Sequence, residues 1–525
     1  MSKFGTVIVW LACAAPALAA APQQDKEVWI TIGSDALPTV RASLKEQGVE
    51  LPAAAREKGG VTALRIRESQ IDKVAGVMHD KLNRCAGFIA HDTETQALAE
   101  VERNATASTA PQSLATLIAF NVNNGPSVNA MLGGVQELNI RNTINSLSTN
   151  WTTRRYNVQT GADAANWLKT QWTTIANGRT DVSVALYTHT WTQPSVIATI
   201  TGTTLPNEVV VLGGHLDSIN QSSSTGVAPG ADDDASGVAS ITEVFRTAIA
   251  NGYKPARTVK FMAYAGEEVG LYGSNAIANS FASAGTNVVG VLQLDMTNYK
   301  GSSYDFGMVT DNTNATLNAF VTGSLLPTYL PGTTYTNITC GYACSDHASW
   351  NSAGYPATMP FEATMTTDNP QIHTAGDTLT YTGGTANNSV KFAKLGVAFM
   401  GEVAKGATTG NTPPPTGGGT GGGTGTLTNG VATAPYSGAT GTWTCNTLVI
   451  PSGVSSVVFN QAGGTGDADM YVRFGSQPTT STYNCRPYLS GNAESCTISA
   501  PSAGTWYACS YAYSAYSSTT MKGTY

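Results

Sequence analysis

The chain has 525 residues, only 12% of them charged, with a formal net charge of −7 and a pI near 5.4. Nucleic-acid-binding proteins usually carry a basic surface, so this composition argues against that class. A hydrophobic content of 41% argues against disorder. The charge is uneven, because residues 24–103 hold 24 acidic or basic residues whereas residues 426–525 hold six. This contrast indicates several modules within one chain.

The first 21 residues have the pattern of a secretory signal peptide. Lys3 gives a basic start, Val7–Cys13 is an apolar stretch, and the small residues of Ala17–Ala21 fit a cleavage site. Beyond them, no apolar run approaches the ~20 residues needed to cross a bilayer. We therefore expect a secreted protein without a membrane span, in which disulfides can form.

Residues 22–106 are a charged block that alternates strand-like and helix-like stretches. Glu27–Ile32 and Val61–Ile66 have the composition of strands, and Glu68–Arg84 has apolar residues at helical spacing. A small α/β module behind a signal peptide is typical of a propeptide, with an ordinary N-terminal domain as the alternative. Cys85 in this block has no evident partner, which fits a segment that is removed or, equally, a buried free thiol.

Residues 107–405 alternate apolar strands with helices, a pattern that predicts an α/β domain with a mixed central sheet flanked by helices. The strongest buried-strand signals are Glu208–Leu212, Thr258–Tyr264 and Val288–Leu294, and Ser236–Ala250 has helical spacing. Residues 406–426 form a Pro-rich and then Gly/Thr-rich linker. Residues 427–525 contain short alternating runs, which predict a small all-β sandwich.

Acidic and histidine side chains follow three of the predicted strands. His215 and Asp217 follow the first, Glu267 and Glu268 the second, and Asp295 the third, while residues 232–234 are three aspartates before a helix. In an open α/β sheet, ligands bind beyond the carboxyl ends of the strands. Carboxylates gathered there need cations, and histidines among them favour zinc over calcium. These residues alone do not choose between His347 and His373 as a second histidine ligand.

The motifs around these residues resemble peptidase family M28, the dizinc aminopeptidases, and most closely the secreted bacterial leucyl aminopeptidases of the Vibrio/Aeromonas type. The similarity spans residues 110–400 and rests on six motifs, at residues 213–218, 229–237, 265–270, 292–299, 340–347 and 372–374. Residues 430–525 resemble the bacterial pre-peptidase C-terminal domain, through residues 463–475 and 484–488.

The resemblance implies a site with two Zn²⁺ ions. His215 and Asp295 would bind one ion, Glu268 and His373 the other, and Asp233 would bridge the two. Glu267 would be the catalytic base, and Asp217 would orient His215 from behind. In this family the peptide bond after the bridging aspartate is cis, which implies a cis bond between Asp233 and Asp234. His347 would then be a structural histidine.

The family's substrate pocket falls on apolar positions: Met296, Val309, Tyr342, Met359, Phe361 and Ile372. Two wall positions that are aromatic in relatives are Met365 and Asp368 here. We therefore expect a preference for Leu or other hydrophobic N-terminal residues that is less strict than in those relatives.

Six cysteines are candidates for disulfides in an exported chain. Cys340 and Cys344 can form a bridge across a tight turn, with a zinc pair as the alternative. Cys445, Cys485, Cys496 and Cys509 allow three pairings. The resemblance favours Cys485–Cys496, which leaves Cys445–Cys509.

The leading hypothesis is a secreted dizinc aminopeptidase, monomeric and made as a zymogen, whose own propeptide is an inhibitor or folding aid. It would act on peptides with a free N-terminus, and nucleic acid is not an expected partner. One alternative is a related zinc carboxypeptidase or amidohydrolase, which would need a cationic group that the site motifs lack. Another is a secreted binding or adhesion protein stabilised by calcium.

Overall fold

The computed structural model describes residues 25–408 and 425–525, except residues 83, 85, 92, 107–118, 439, 476 and 481. The expected signal peptide, Cys85 and most of the expected linker lie outside the described residues. Within them, no helix has the length and apolar character to span a bilayer. The contacts divide the chain into two compact units, Met1–Pro413 and Pro414–Tyr525.

Residues 25–106 form a four-stranded antiparallel sheet with three helices, and we call them the N-terminal segment. The elements are β1 (Glu27–Gly33), α1 (Leu37–Glu46), β2 (Arg56–Lys58), β3 (Val61–Arg67), α2 (Ile71–Leu82), β4 (Phe88–His91) and α3 (Glu94–Thr106). The strand order is β2-β3-β1-β4. Alternation along β1 and β3 puts Ile30 and Leu64 into a core shared with α1 and α2. The expected small α/β module is therefore confirmed.

Residues 119–408 form a larger α/β layer structure. Its helices are α4 (Gly125–Leu132), α5 (Glu137–Thr149), α6 (Gln159–Ala176), α7 (Ala235–Ala250), α8 (Tyr272–Ser283), α9 (Ala315–Phe320), α10 (Leu326–Tyr329), α11 (His347–Ser352) and α12 (Ser389–Ala404). Its strands are β5 (Val182–Tyr187), β6 (Ser195–Ile200), β7 (Leu205–His215), β8 (Arg257–Tyr264), β9 (Asn287–Gln293), β10 (Phe306–Val309), β11 (Tyr335–Ile338), β12 (Ala357–Thr358) and β13 (Pro360–Phe361).

Six of these strands form the mixed central sheet that the sequence predicts. Their order is β12-β9-β7-β8-β6-β5. Strands β12, β9, β7 and β8 pair in parallel, β6 pairs antiparallel with β8, and β5 pairs antiparallel with β6. Because β7, β8 and β9 are adjacent and parallel, their carboxyl ends meet at one sheet edge. A second, three-stranded sheet has the order β11-β10-β13.

The second unit consists of strands β14 (Gly425–Thr426), β15 (Tyr436–Gly438), β16 (Trp443–Ile450), β17 (Ser456–Ala462), β18 (Thr465–Phe474), β19 (Glu494–Ser499) and β20 (Gly504–Thr524). The first part of β20 pairs with β16 and β18, and its last residues pair with β17. All pairs except β14–β16 are antiparallel. The expected all-β fold is confirmed.

All three expected disulfides are present. Cys340–Cys344 closes a turn in the first unit, which settles that pair as a disulfide and not a zinc pair. In the second unit, Cys445–Cys509 and Cys485–Cys496 are bonded.

Phe245 of α7 is fully buried in the central core, where its ring packs between Trp172 of α6 and Phe261 of β8. We expect Phe245→Ala to lower the free energy of unfolding by about 3–5 kcal/mol, because it removes an aromatic ring and leaves a cavity. Leu205→Ala, at a site that is 40% exposed, is the control and should cost far less. Urea denaturation followed by tryptophan fluorescence tests this, and equal losses for the two variants would contradict it.

Candidate metal centre

The edge where β7, β8 and β9 end carries the predicted side chains. His215 is the last residue of β7, Glu267 and Glu268 follow β8, and Asp295 follows β9. Asp233 lies just before α7, whose first residue is Ala235. The strand ends thus bring together residues that are up to 80 positions apart in the chain.

The two carboxylate oxygens of Asp233 face two different histidines. Oδ1 lies 2.8 Å from Nε2 of His215, and Oδ2 lies 3.0 Å from Nε2 of His373. On the first side, Asp295 Oδ1 lies 3.5 Å from His215 Nε2. On the second side, Glu268 Oε2 lies 3.1 Å from His373 Nε2. The arrangement is two half-sites that share Asp233.

All of these side chains are buried, and burying their charges costs free energy unless the charges are paired. Burial raises the pKa of Glu267 well above its usual range. The charge of His215 lowers this pKa, and the charge of Glu268 raises it further. Burial and then the charge of Asp233 raise the pKa of Glu268 to about 7. Burial alone would lower the pKa of His215, but the carboxylates around it, Asp295 foremost, raise it well above its usual value.

Asp217 supports the cluster in a way that the sequence did not indicate. Its carboxylate accepts hydrogen bonds from the backbone N–H groups of Glu267 at 3.0 Å and Glu268 at 3.3 Å. Its Oδ1 also lies 3.6 Å from Nδ1 of His215, near the position expected for an orienting group. Asp217 therefore fixes the turn that carries both glutamates as well as facing the histidine.

Three further residues outside the predicted site hold the loops in place. Asp234, fully buried, accepts hydrogen bonds from the backbone N–H groups of His215, Gly237 and Met296. Asp377 accepts from the backbone N–H groups of residues 232 and 233. Arg154 donates to the carbonyl oxygens of residues 147, 216, 229 and 230. Only the position of Asp234 at a helix start offered a sequence signal for any of them.

The peptide bond between Asp233 and Asp234 is cis, as the resemblance implied. His347 is fully buried at the start of α11, and it is in none of the described groups of side chains that could bind a metal ion. His189, in a loop, pairs with the Ser195 hydroxyl at 2.8 Å.

The predicted pocket residues lie together beside Asp295. One pocket is lined by all six of them, with the two departures from the family pattern and the disulfide cysteines: Met296, Val309, Cys340, Tyr342, Cys344, Met359, Phe361, Met365, Asp368 and Ile372. Two walls come from the second sheet, through Val309 of β10 and Phe361 of β13. The lining contains no Lys or Arg among the described residues. Burial raises the pKa of Asp368 to about 6.

The residues of the two half-sites fit metal ions. Imidazole nitrogens and carboxylate oxygens are usual zinc ligands, and one such atom from each of His215, Asp233 and Glu268 lies within 4.8 Å of the other two. Both oxygens of Glu267 lack a hydrogen-bond donor among the described residues although the side chain is buried. A carboxylate in that situation points to a missing polar or cationic neighbour.

Comparison with known proteins agrees with this geometry. Residues 195–411 match the model of peptidase family M28, and residues 447–512 match that of the bacterial pre-peptidase C-terminal domain. The chain is 39% identical over 301 residues to a probable leucine aminopeptidase 1 of Trichophyton verrucosum, covering 54% of this chain and 79% of the relative. The chain belongs to peptidase family M28. The expected enzyme class, a metallo-aminopeptidase, is therefore confirmed.

Two solved structures of this family are similar over most of the chain. The LapA aminopeptidase of Legionella pneumophila aligns with a TM-score of 0.60 and 26% identity, covering 73% of this chain and all of LapA. LapB from the same organism aligns with a TM-score of 0.59 and 28% identity, covering 72% of this chain and all of LapB. The M28 fold expected for the first unit is confirmed.

The double role of Asp217 gives a prediction for metal affinity. Asp217→Asn must lose an acceptor for one of the two glutamate N–H groups, so we expect zinc affinity to fall ~10–100-fold, as for other groups that support metal ligands. Asp305→Asn is the matched control, because Asp305 also accepts a backbone N–H, that of Thr334, before β10. Calorimetric titration of zinc into the metal-free protein tests this. Equal affinities for both variants would show that the supporting role is wrong.

Proposed function

We propose that this protein is a secreted dizinc aminopeptidase that removes N-terminal Leu and other hydrophobic residues from peptides. The observation that carries the proposal is the division of Asp233 between two histidines, with one further carboxylate on each side. In this assignment His215, Asp295 and Asp233 bind one Zn²⁺, and His373, Glu268 and Asp233 bind the other. Bound zinc would supply a water of lowered pKa and Lewis-acid contacts for the scissile carbonyl and the free α-amine.

Glu267 is the proposed general base. It follows β8 directly beside the ligand Glu268, and its own carboxylate is buried without a hydrogen-bond donor among the described residues. Asp217 anchors its backbone N–H, which fixes the turn that carries the side chain. Glu267 would accept a proton from the attacking water and later pass it to the leaving amine.

The apolar pocket beside Asp295 supports the proposed preference for hydrophobic side chains. Six apolar or aromatic residues line it, together with Met365, whose thioether chain adapts to different shapes. Asp368 adds a carboxylate to the same wall. This mixture supports a Leu or Met preference that is less strict than a fully aromatic wall would give. Arg84 of the N-terminal segment lies 4.9 Å from the Tyr342 ring centroid, and it would leave with a removed propeptide. The described lining itself then offers no cation for a substrate's C-terminal carboxylate, which argues against a carboxypeptidase.

The domain assignment completes the proposal. Residues 1–21 would be a signal peptide, residues 22–106 a propeptide and residues 107–405 the catalytic domain. Residues 406–426 would be a linker and residues 427–525 an appended β-sandwich, in a protein that acts as a monomer. The N-terminal segment packs onto the catalytic domain: Asp72 pairs with Arg155 at 2.9 Å, and Val269, next to Glu268, joins the segment's core. This contact supports an inhibitory propeptide.

The base assignment predicts a separation of binding from turnover. Glu267→Gln keeps the size and polarity of the side chain but removes its basicity, so kcat on a leucyl anilide should fall ~10²–10⁴-fold. Both zinc ions should remain, as measured by metal analysis of the same sample, because Glu267 is not a proposed ligand. A variant that retained zinc and near-normal kcat would disprove the base assignment.

The exopeptidase assignment predicts dependence on a free α-amine. The mature enzyme should hydrolyse leucyl and methionyl anilides and should leave N-acetyl-leucyl anilide intact, because an acylated nitrogen has no free lone pair to offer. Chelation of the metal should abolish the activity, and zinc should restore it. Cleavage of the acetylated substrate, or of internal bonds in a peptide, would indicate an endopeptidase instead.

A further inference from the structure

The substrate pocket contains a carboxylate that the proposed mechanism does not use, that of Asp368. Apart from the proposed zinc ligand Asp295, the other described residues of the lining are apolar, aromatic or disulfide cysteines. Because Asp295 belongs to the lining, the pocket begins at the metal centre, where the side chain of a substrate's N-terminal residue would enter it. Asp368 therefore lies in the wall that this side chain meets.

The backbone on both sides of Asp368 is held by hydrogen bonds. Just before it, the N–H of Thr367 donates to the carbonyl of Thr364 at 3.1 Å, and the hydroxyls of these two residues lie 2.8 Å apart. Just after it, the side chain of Asn369 is buried and donates to Asp232 Oδ2 at 3.1 Å. Asp232 belongs to the aspartate run that contains the bridging carboxylate. Asp368 is thus a fixed element of the pocket wall.

Asp368 has no lysine or arginine partner in the described lining of the pocket. Burial raises the pKa of Asp368 to about 6, although a backbone hydrogen bond opposes the rise. The charge of Asp233 raises this pKa further, and the charge of His373 lowers it. A carboxylate in a largely apolar wall costs free energy until a cation pairs with it. The pocket therefore offers a complementary charge to a cationic side chain.

In the intact chain, the N-terminal segment already lies against this pocket and the metal centre. Arg84, which follows α2, places its guanidinium carbon 4.9 Å from the ring centroid of Tyr342 in the pocket wall. Within α2, His79 stacks on His373 with ring centroids 4.2 Å apart. Removal of the segment would take Arg84 away and leave the carboxylate of Asp368 in the wall. The cation beside that wall would then have to come from the substrate.

A lysyl side chain has two parts that match the two kinds of group in the wall. Its methylene stem can pack on apolar residues such as Met365 and Ile372, as a leucyl or methionyl side chain would. Its ammonium group can then pair with Asp368. The guanidinium of an arginyl side chain can form the same charged hydrogen bond, through two donors at once. A wholly apolar wall would instead leave either cation without a partner.

We propose that Asp368 makes this pocket accept basic as well as apolar side chains, so that the enzyme removes N-terminal Lys and Arg in addition to Leu and Met. The inference rests on the proposed aminopeptidase function and extends its substrate class. Asp368 selects the substrate in this assignment, and the metal ligands and Glu267 carry out the reaction.

The test compares lysyl anilide with norleucyl anilide, because norleucine is lysine without its ammonium group. In the processed, zinc-loaded enzyme, we expect kcat/KM for the two substrates to be of the same order. Asp368→Asn keeps the size of the side chain and removes its charge. In this variant kcat/KM for the lysyl substrate should fall ~10–100-fold, as expected for the loss of a charged hydrogen bond. The norleucyl value should stay near that of the parent.

Asp163→Asn is the matched control, because it makes the same change of charge at an exposed position in α6. Both kcat/KM values should match those of the parent. Norleucyl turnover by Asp368→Asn also reports whether that variant folds and binds zinc. If it does not fold, the ratio of the two substrates in the parent enzyme decides by itself.

Two results would overturn the inference. One is a lysyl value ~100-fold or more below the norleucyl value in the parent, which is what an unpaired ammonium in an apolar pocket would give. The other is an equal loss on both substrates in folded, zinc-loaded Asp368→Asn, which would mean that Asp368 acts on a part common to all substrates. The proposed function would survive either result. Failure of the parent to hydrolyse norleucyl and leucyl anilides would instead overturn the proposed function itself.

Discussion

Carboxylates that crowd together out of water repel one another strongly, and in this protein Asp233, Glu267, Glu268 and Asp295 lie in one buried cluster at the end of the central sheet. Burial and this repulsion raise the pKa values of Glu267 and Glu268. Hydrogen bonds from the surrounding backbone stabilise the acidic groups at the edge of the cluster. Backbone N–H groups point at Asp217, Asp234 and Asp377, while oxygens of Asp233 and Glu268 face His215 and His373.

Parallel strands are the reason that such a cluster can be built at all. β7, β8 and β9 are adjacent, so His215, the Glu267–Glu268 turn and Asp295 are delivered to one edge by the sheet itself. The strand ends are fixed further by Arg154, whose guanidinium donates four hydrogen bonds, all of them to backbone carbonyl groups. A buried arginine with no carboxylate partner is costly, and burial lowers its pKa to about 10. The nearby acidic cluster offsets part of this cost through its negative field.

The sequence allowed the fold and the convergent residues to be predicted to a large extent, because both follow from local patterns. Apolar runs mark β7 to β9, and the proposed metal ligands lie at or just after the ends of these strands. The predicted strand ended at Leu212, but β7 continues to His215. Its glycines at 213 and 214 pair with β8 in the same register. The choice of His373 over His347 depended on the family motif, as no local pattern distinguishes them.

The hydrogen bonds of Asp217 to the glutamate turn, and the contributions of Arg154 and His79, could not be predicted, for a common physical reason. Each acts through partners that are distant in the chain: Asp217 lies 50 positions before Glu267, and Arg154 reaches a carbonyl 76 positions away. His79 is the extreme case, because its partner His373 belongs to a different module. Helical periodicity describes which side of α2 is apolar, but not what that side is pressed against.

The two half-sites are not held equally. His215 and Asp295 follow strands of one sheet, whereas His373 lies in the loop between β13 and α12, with a left-handed backbone at φ 57°. A non-glycine residue in that conformation costs about 1–3 kcal/mol and persists only where its surroundings enforce it. The carbonyl of His373 accepts a hydrogen bond from the N–H of Gln221, which is one such restraint, and the stacked ring of His79 is another. The half-site that the N-terminal segment touches is thus the one that the sheet fixes least. The segment therefore covers the half-site whose backbone the sheet restrains least, whereas His215 and Asp295 are positioned by the sheet itself.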